Sequence, residues 1–288
     1  MLERLLEQLG FKDKDELLES MDTHAEDVIR AQEAAEKRIE DPLKNWVRPH
    51  NEECPICLLP LPVHENGVLY RQCCDSLICK GCVSHHMLTL IKEGVEKKKG
   101  LNTVMACPLC RQVPKENDDM FALQMKLAKA GKHEAMYELA MTYIHGENGV
   151  MIDWDEGLKW IKRAAAEGFG KASYFFGQCY WDGRNTIERD TNKAIKYFKQ
   201  AGDDGFVYAF VTAADALYQE GEIEESMLNY RKAAMCGVND EDLFTQLREG
   251  FGEGYITKEE YAYTLREYQK VSNEMKSTSR TFAQRHKM

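Results

Sequence analysis

The stretch that decides the fold is EAMYELAMTYIHGENGVMIDWDEGLKWIKRAAAEGFG, residues 134–170. A second copy, KASYFFGQCYWDGRNTIERDTNKAIKYFKQAGDDGF, follows directly at residues 171–206, and a shorter third copy begins near Val207. The residues that recur 37 positions apart are the pairs Ala135 and Ala172, Tyr143 and Tyr180, Gly146 and Gly183, Asp153 and Asp190, and Gly168 and Gly205. A period in the thirties with small residues at fixed places predicts stacked helix pairs that build an α-solenoid.

The copies also carry the signals that begin and end helices. Gly146 and Gly183 are expected to end the first helix of each pair, because the position after a helix often takes a left-handed backbone. Asp153 and Asp190 are expected to cap the second helix of each pair, because an aspartate side chain accepts hydrogen bonds from the first free N–H groups.

Further helices complete the array on both sides of the copies. Residues 120–132 are interpreted as a leading half-repeat. Helices near residues 240–250 and 257–276 are expected to close the array. The predicted array therefore spans residues 118–276, and a flexible tail of residues 277–288 follows it.

This order of small residues, glycine turn and aspartate cap resembles that of Sel1-like repeats, which are relatives of tetratricopeptide repeats. The resemblance implies a curved surface of stacked helices that binds other proteins. The chain is therefore expected to be mainly α-helical, with a protein partner on the repeats.

Eight of the ten cysteines lie between residues 54 and 110, in the three Cys-x-x-Cys pairs of ECPIC, ICKGC and ACPLC and in the adjacent pair of QCCDS. Two tetrahedral zinc sites need eight ligands, so eight thiolates suffice for two Zn²⁺ ions. In the commonest module of this kind a histidine stands two residues after the third ligand, and two residues after Cys74 this chain has Ser76. The histidine is not needed if Cys73 and Cys74 both bind the metal, which requires a sharp backbone turn because neighbouring side chains of an extended strand point apart.

Other interpretations of the cysteines stay open at this point. One member of the adjacent pair is a spare if a histidine, His64, His85 or His86, supplies the eighth ligand. Paired Cys-x-x-Cys motifs also occur in iron–sulfur and redox dithiol sites.

The motifs CPIC, ICKGC and CPLCR resemble those of a RING finger, in the variant in which every ligand is cysteine. The resemblance implies a small cross-brace module over residues 54–114, in which alternate cysteine pairs bind the same ion. It assigns to site one Cys54, Cys57, Cys79 and Cys82. It assigns to site two Cys73, Cys74, Cys107 and Cys110. Both zinc ions are expected to be structural, because four thiolates leave no open position on the metal.

RING fingers typically act as ubiquitin ligases, which hold a ubiquitin-loaded conjugating enzyme while that enzyme carries the chemistry. The resemblance makes Ile56 and Pro108 apolar contacts to the conjugating enzyme. It makes Arg111, directly after the last cysteine, the basic residue that bridges ubiquitin and the conjugating enzyme. His86 departs from the pattern, because many active members place a tryptophan, leucine or isoleucine there. The chain itself is therefore expected to contribute no catalytic residue.

From residue 53 to about residue 280, the chain resembles the RING and Sel1-like repeat proteins of diatoms and other algae. That resemblance implies a ubiquitin-protein ligase whose repeats recruit a protein substrate. The alternative is a non-catalytic zinc-binding scaffold for protein interactions, which His86 and the unusual cysteine pair favour.

Composition limits the remaining classes of function. The formal net charge is −10, and residues 1–41 alone carry −7, which argues against nucleic acid as a partner. No apolar run reaches the length of a membrane span, and the N-terminus has no signal-peptide pattern. These features predict a cytoplasmic location, with the nucleus as the alternative. Residues 1–41 are expected to form an N-terminal helical segment, and residues 42–53 a linker.

Overall fold

The computed structural model describes residues 40–49, 52–62, 67–97, 106–112 and 120–276. Nearly all of the predicted N-terminal helical segment, the predicted tail and His64 lie outside these ranges. The described part of the chain is mainly helical, as predicted.

A cysteine-rich module occupies residues 52–112. Strands β1 (Val68–Arg71) and β2 (Ser76–Cys79) form an antiparallel hairpin in which Arg71 pairs with Ser76. Helix α1 (Lys80–Lys97) begins directly after β2. The core of the module consists of the buried residues Cys54, Leu61, Ile78, Cys79, Cys82 and Val83. Half of this small core is cysteine, so apolar burial alone gives it little stability.

The array follows as a series of consecutive helices. Their bounds are α2 (Met120–Lys129), α3 (His133–His145), α4 (Trp154–Ala166), α5 (Gly170–Asp182), α6 (Thr191–Asp203), α7 (Ala209–Gln219), α8 (Ile223–Met235), α9 (Glu241–Gly252) and α10 (Lys258–Glu274). Helices α3 with α4, α5 with α6, and α7 with α8 are in contact as pairs, and each pair packs on the next. The predicted solenoid of helix pairs is confirmed. Helix α2 precedes the pairs and helices α9 and α10 follow them.

The predicted helix ends are also confirmed. Gly146 and Gly183 lie in the left-handed region, at φ 71° and 67°, directly after α3 and α5. The side chains of Asp153 and Asp190 accept hydrogen bonds from the N–H groups of the third residues of α4 and α6, each at 2.9 Å. The turn between paired helices is therefore determined by residues within each copy of the repeat.

Small residues allow the helices to approach closely. Ala135, Ala172 and Ala209 are fully buried at equivalent places in the three copies. A Cβ atom added to Gly177 in α5 would come within 2.4 Å of the Phe198 ring in α6. Small side chains at these positions are therefore a condition of the stacking.

The strap, residues 41–48, lies against the C-terminal end of the array. The sequence predicts most of it as linker, yet Leu43 is only 2% exposed. The Trp46 ring meets the Phe210 ring edge-on, with the centroids 6.0 Å apart. The chain immediately before the cysteine-rich module is thus held on α7, α8 and α10.

Within the described ranges, no helix combines the length and the apolar character that crossing a membrane requires.

Candidate metal centres and their surroundings

The first and last cysteine pairs are built as two copies of one turn. The N–H group of Leu58 donates to the carbonyl of Cys54 at 2.8 Å, and that of Arg111 donates to the carbonyl of Cys107 at 2.9 Å. Leu58 and Arg111 both have left-handed backbones, with φ 56° and 59°. Each turn places two sulfur atoms, three positions apart in sequence, on the same side of the chain.

The first group of sulfur atoms joins the first and third cysteine pairs. Its members are Cys54, Cys57, Cys79 and Cys82, whose Sγ atoms all lie within 4.8 Å of one another. The Sγ atoms of Cys57 and Cys79 are 3.9 Å apart, and the N–H group of Cys79 donates to the Sγ of Cys54 at 3.5 Å. These are the four residues assigned above to site one.

The second group joins the adjacent pair to the last pair. Its members are Cys73, Cys74, Cys107 and Cys110, again with all Sγ atoms within 4.8 Å of one another. The Sγ distances are 3.4 Å between Cys73 and Cys110 and 3.7 Å between Cys74 and Cys107. Both members of the adjacent pair therefore reach the same group, and no histidine of the described ranges belongs to it.

The hairpin turn explains how two neighbouring cysteines reach one point. The turn between β1 and β2 closes with a hydrogen bond from the N–H of Cys74 to the carbonyl of Arg71 at 3.2 Å. Asp75 follows with a left-handed backbone, at φ 48°. The Ser76 hydroxyl donates to the carbonyl of Cys74 at 2.9 Å. Ser76 thus stabilises the turn from the position where the commoner module has a histidine ligand.

The distances between sulfur atoms fit a tetrahedral zinc ion. Zinc–sulfur bonds of about 2.3 Å in a tetrahedron place the sulfur atoms roughly 3.8 Å apart. Three of the distances, 3.4, 3.7 and 3.9 Å, lie close to that value, and every Sγ–Sγ distance within a group is at most 4.8 Å. The two groups of four thiols could therefore each hold a metal ion, and the donor set is the one that structural zinc prefers.

Backbone N–H groups lower the pKa values of two of the thiols, Cys54 and Cys107. Burial raises the pKa of Cys54, but the N–H groups of Cys57, Cys79 and Ile56 outweigh burial and lower the pKa to about 7. In Cys107 the N–H groups of Cys110 and Leu109 outweigh burial in the same way, and the pKa falls to about 7. N–H groups aimed at a sulfur favour its thiolate form, which is the form that binds metals.

Two other thiols, those of Cys73 and Cys82, have raised pKa values. Burial, and after it the neighbouring sulfur atoms of each group, raise the pKa values of Cys73 and Cys82. Four thiolates at this spacing repel one another, and a divalent cation between them reverses that effect.

The predicted contacts for a conjugating enzyme lie on the two copied turns. The Ile56 side chain in the first turn is 40% exposed. Pro108 in the second turn is partly buried, and Arg111 at its end is exposed. The apolar and basic side chains that the resemblance selects are thus accessible on the surface of the module.

The two adjacent histidines of α1 differ in their surroundings. His85 is exposed. His86 is partly buried, and its Nε2 atom has no hydrogen-bond partner among the described residues. Burial lowers the pKa of His86, and the charges of Arg111 and Arg71 lower it further. Its surroundings therefore disfavour a charged His86 ring, and neither His85 nor His86 joins a sulfur group.

A contact that sequence reasoning missed joins the cysteine-rich module to the array. The Nζ atom of Lys132, just before α3, lies 2.8 Å from a carboxylate oxygen of Asp75. The Tyr70 hydroxyl donates to the other oxygen of the same carboxylate at 2.8 Å. Asp75 follows Cys74 directly, so the array is attached next to the second sulfur group.

The comparison with known families finds the Sel1 repeat at residues 133–169 and 170–206. No RING family matches, and no curated protein matches the chain. The matched repeats mark this part of the chain as a protein-interaction scaffold.

Several solved structures resemble the chain, among them two repeat proteins. A Sel1 repeat protein from Oxalobacter formigenes is 25% identical, with a TM-score of 0.39 over 44% of this chain and 95% of that one. The protein c5321, a protective antigen of uropathogenic Escherichia coli that displays an SLR fold, is 18% identical, with a TM-score of 0.38 over 57% of this chain and 38% of that one.

Proposed function

We propose that this protein is a RING-type ubiquitin-protein ligase, with Zn²⁺ in both sulfur groups and a protein substrate on the array. The observation that carries the proposal is the interleaved grouping of the sulfur atoms. The first and third cysteine pairs share one group, and the second and fourth share the other. That arrangement is the cross-brace expected of a RING finger over residues 54–114.

The metals in this proposal have a structural role. Zinc bound by four thiolates holds the two copied turns in place, and it has no open position for a reacting molecule. The turns then present Ile56 and Pro108 as an apolar contact for the conjugating enzyme, with Arg111 beside them for ubiquitin. The protein accelerates transfer by restricting the ubiquitin thioester to reactive orientations.

The attachment of the module to the array supports a division of labour. The module is held at the start of α3 through Asp75 and Lys132. The strap leads into the module from the opposite end of the array. A substrate on the array would therefore be carried by the same chain as the bound conjugating enzyme.

The surroundings of His86 favour a second candidate function, that of a non-catalytic zinc-binding scaffold. A ring with an unpaired polar nitrogen beside Arg111 is a poor apolar contact for a conjugating enzyme. In that case the module only stabilises the fold, and the array is the sole binding surface.

The two functions are separated by discharge of ubiquitin from a panel of loaded conjugating enzymes onto free lysine. The wild-type chain is compared with Ile56→Ala and with Arg111→Ala. Met151→Ala is the matched control, because it removes an apolar side chain that is 86% exposed in the array, outside the cysteine-rich module.

A ligase accelerates discharge by at least one conjugating enzyme, and the first two substitutions abolish the acceleration while the control retains it. If zinc-loaded, folded protein accelerates discharge with no member of the panel, the ligase proposal is rejected and the scaffold takes its place.

A further inference from the structure

The strap is bound to the array through a few side chains. Leu43 is almost fully buried, and Trp46 lies edge-on against Phe210. The Nζ atom of Lys232 is 5.5 Å from the centre of the Trp46 ring and 5.0 Å from that of Phe210, so one cation covers both rings. Such cation–π contacts add to the apolar contact at the centre of the strap.

Opposite charges hold the two ends of the strap. Near its start, the Asp41 carboxylate accepts a hydrogen bond from Nη2 of Arg231, whose side chain is 2% exposed. At its end, Nη2 of Arg48 donates to the Glu274 carboxylate at 3.2 Å. The strap face, which consists of Phe210, Arg231, Lys232, Tyr263 and Glu274, therefore recognises an acid, an apolar centre and a base in that order.

The backbone of the strap is not part of the array. Its own hydrogen bonds run from the N–H of Lys44 to the carbonyl of Asp41 and from the N–H of Trp46 to the carbonyl of Leu43. Among the described residues, no backbone–backbone hydrogen bond joins the strap to a helix of the array. The backbone contact is a long one, in which the Tyr263 hydroxyl donates to the Lys44 carbonyl at 3.5 Å. The strap is therefore held by a few anchoring side chains, as a separate peptide is held on the surface of a protein.

The buried Arg231 side chain has partners within the array as well as in the strap. Arg231 also donates to Glu260 at 3.1 Å and to Thr264 at 3.0 Å, and both partners belong to α10. When Asp41 leaves, the buried guanidinium still has a carboxylate partner, so departure of the strap does not leave an unpaired buried charge.

There is unfilled space beside the strap near its start and near its end. One cavity of about 320 Å³ is lined by Pro42, Arg231 and Tyr255, among others. Another, of about 190 Å³, is lined by Trp46, Arg48 and Val271, among others. The strap therefore does not fill the space that is open to a peptide along this face.

We propose that the strap face is a peptide-binding site of the array, which the strap occupies within its own chain. The partner is a protein segment with the chemistry of the strap. It has an acidic residue, an aliphatic residue two positions later, a tryptophan or phenylalanine five positions later and a basic residue seven positions later. This inference deepens the proposed function, because it names the class of substrate segment that the array would recruit.

The test uses a fluorescent peptide of residues 40–49, EDPLKNWVRP, and the full-length chain. Binding to the wild type is compared with binding to the double variant Leu43→Ala and Trp46→Ala, whose own strap is weakened. Because self-occupancy reduces apparent affinity in proportion to the free fraction, the variant binds the peptide at least about tenfold more tightly.

Matched peptides identify the contacts. A peptide carrying Trp46→Ala loses binding, and one carrying Val47→Ala keeps it, because the Val47 side chain is 85% exposed on the strap. Adding Lys232→Ala to the double variant weakens binding again. Helix content and thermal unfolding show that each variant is folded, and Asp41→Asn alone serves as the weakened strap if the double variant does not fold.

A folded variant that does not bind the peptide overturns the proposal, because the strap is then a fixed part of the core. Concentration-dependent dimers of the wild type, formed by exchange of straps between copies, would make a second copy the occupant of the face, and they overturn the assignment of a separate protein as partner. The assay contains no conjugating enzyme or ubiquitin, so its failure is distinct from failure of the ligase proposal.

Discussion

Leu58 and Arg111 occupy the same place in two copies of one turn. Each follows the second cysteine of a pair, each has φ near 60°, and each donates its N–H group to the carbonyl of the first cysteine. A left-handed backbone costs an ordinary residue roughly 1–2 kcal/mol, so these positions would suit glycine better. The side chains at positions 58 and 111 are therefore both present at a cost to stability.

This relationship yields a prediction that separates stability from activity at Arg111. Arg111→Gly should raise the free energy of unfolding of the zinc-loaded module by about 1 kcal/mol, because glycine adopts positive φ without strain. Arg111→Ala should leave stability nearly unchanged. Both should slow ubiquitin discharge at least about tenfold, because a charged hydrogen bond worth about 1.5–3 kcal/mol is lost. Denaturant titrations and discharge assays measure the two effects, and normal discharge by Arg111→Gly would refute the assigned role.

A second prediction concerns the adjacent cysteines. Cys73→Ser and Cys74→Ser should each reduce bound zinc from two ions per chain toward one, because each removes a ligand of the second sulfur group. Mass spectrometry under native conditions counts the ions. Cys179→Ala is the matched control, since Cys179 is buried in the array and belongs to neither group. Full zinc retention by either serine variant would show that a different residue completes the second site.

A third prediction concerns removal of the metal. A strong chelator should unfold the cysteine-rich module and leave the array folded, because the module has a small core made largely of cysteine. The array has its own apolar cores, such as the cluster around Met136, Leu139, Ile161 and Phe175. Amide hydrogen exchange should therefore rise in β1, β2 and α1 while α3–α8 stay protected. Loss of protection throughout the array would contradict this separation.

A fourth prediction tests the close stacking of the repeats. Gly177→Ala should destabilise the array by roughly 1–3 kcal/mol, because the added methyl group collides with the Phe198 ring. Gly252→Ala is the matched control at the end of α9, where no atom other than those of the chain neighbours and of the backbone of α9 lies within 4 Å of the added Cβ. It should be neutral or stabilising by up to about 1 kcal/mol, since alanine is the better helix former. Thermal unfolding of both variants provides the comparison, and equal effects would argue against the collision.

The array could be predicted from the sequence because its determinants are local and repeated. Gly146 ends a helix and Asp153 begins the next within eight residues, and the same signals return 37 positions later in Gly183 and Asp190. A helix cap depends only on its nearest neighbours along the chain. The length and order of the helix pairs are therefore visible without any knowledge of distant contacts.

The long-range contacts could not be predicted in this way. Asp41 contacts Arg231, which lies 190 positions later in the sequence. Asp75 contacts Lys132, and no sequence motif links these two residues. No local signal marks a single aspartate as the partner of a particular distant cation. For the same reason the sequence predicts a linker where the structure has the docked strap.

The cysteines lie between these two cases. Their spacing predicts two groups of four ligands, but it leaves open whether Cys73 and Cys74 share one group. The answer depends on the hairpin turn, in which Asp75 takes positive φ and Ser76 bonds back to the Cys74 carbonyl. Aspartate tolerates that backbone better than most residues, and this preference was the available sequence signal for the turn.

The most direct test of the account is the zinc content of two double variants that share Cys54. The variant Cys54→Ser with Cys79→Ser removes two ligands of one sulfur group, and the variant Cys54→Ser with Cys73→Ser removes one ligand from each group. The interleaved cross-brace predicts one zinc ion per chain in the first variant and none in the second. One zinc ion in the second variant and none in the first would mean that the cysteines bind in consecutive sets, and it would contradict the account.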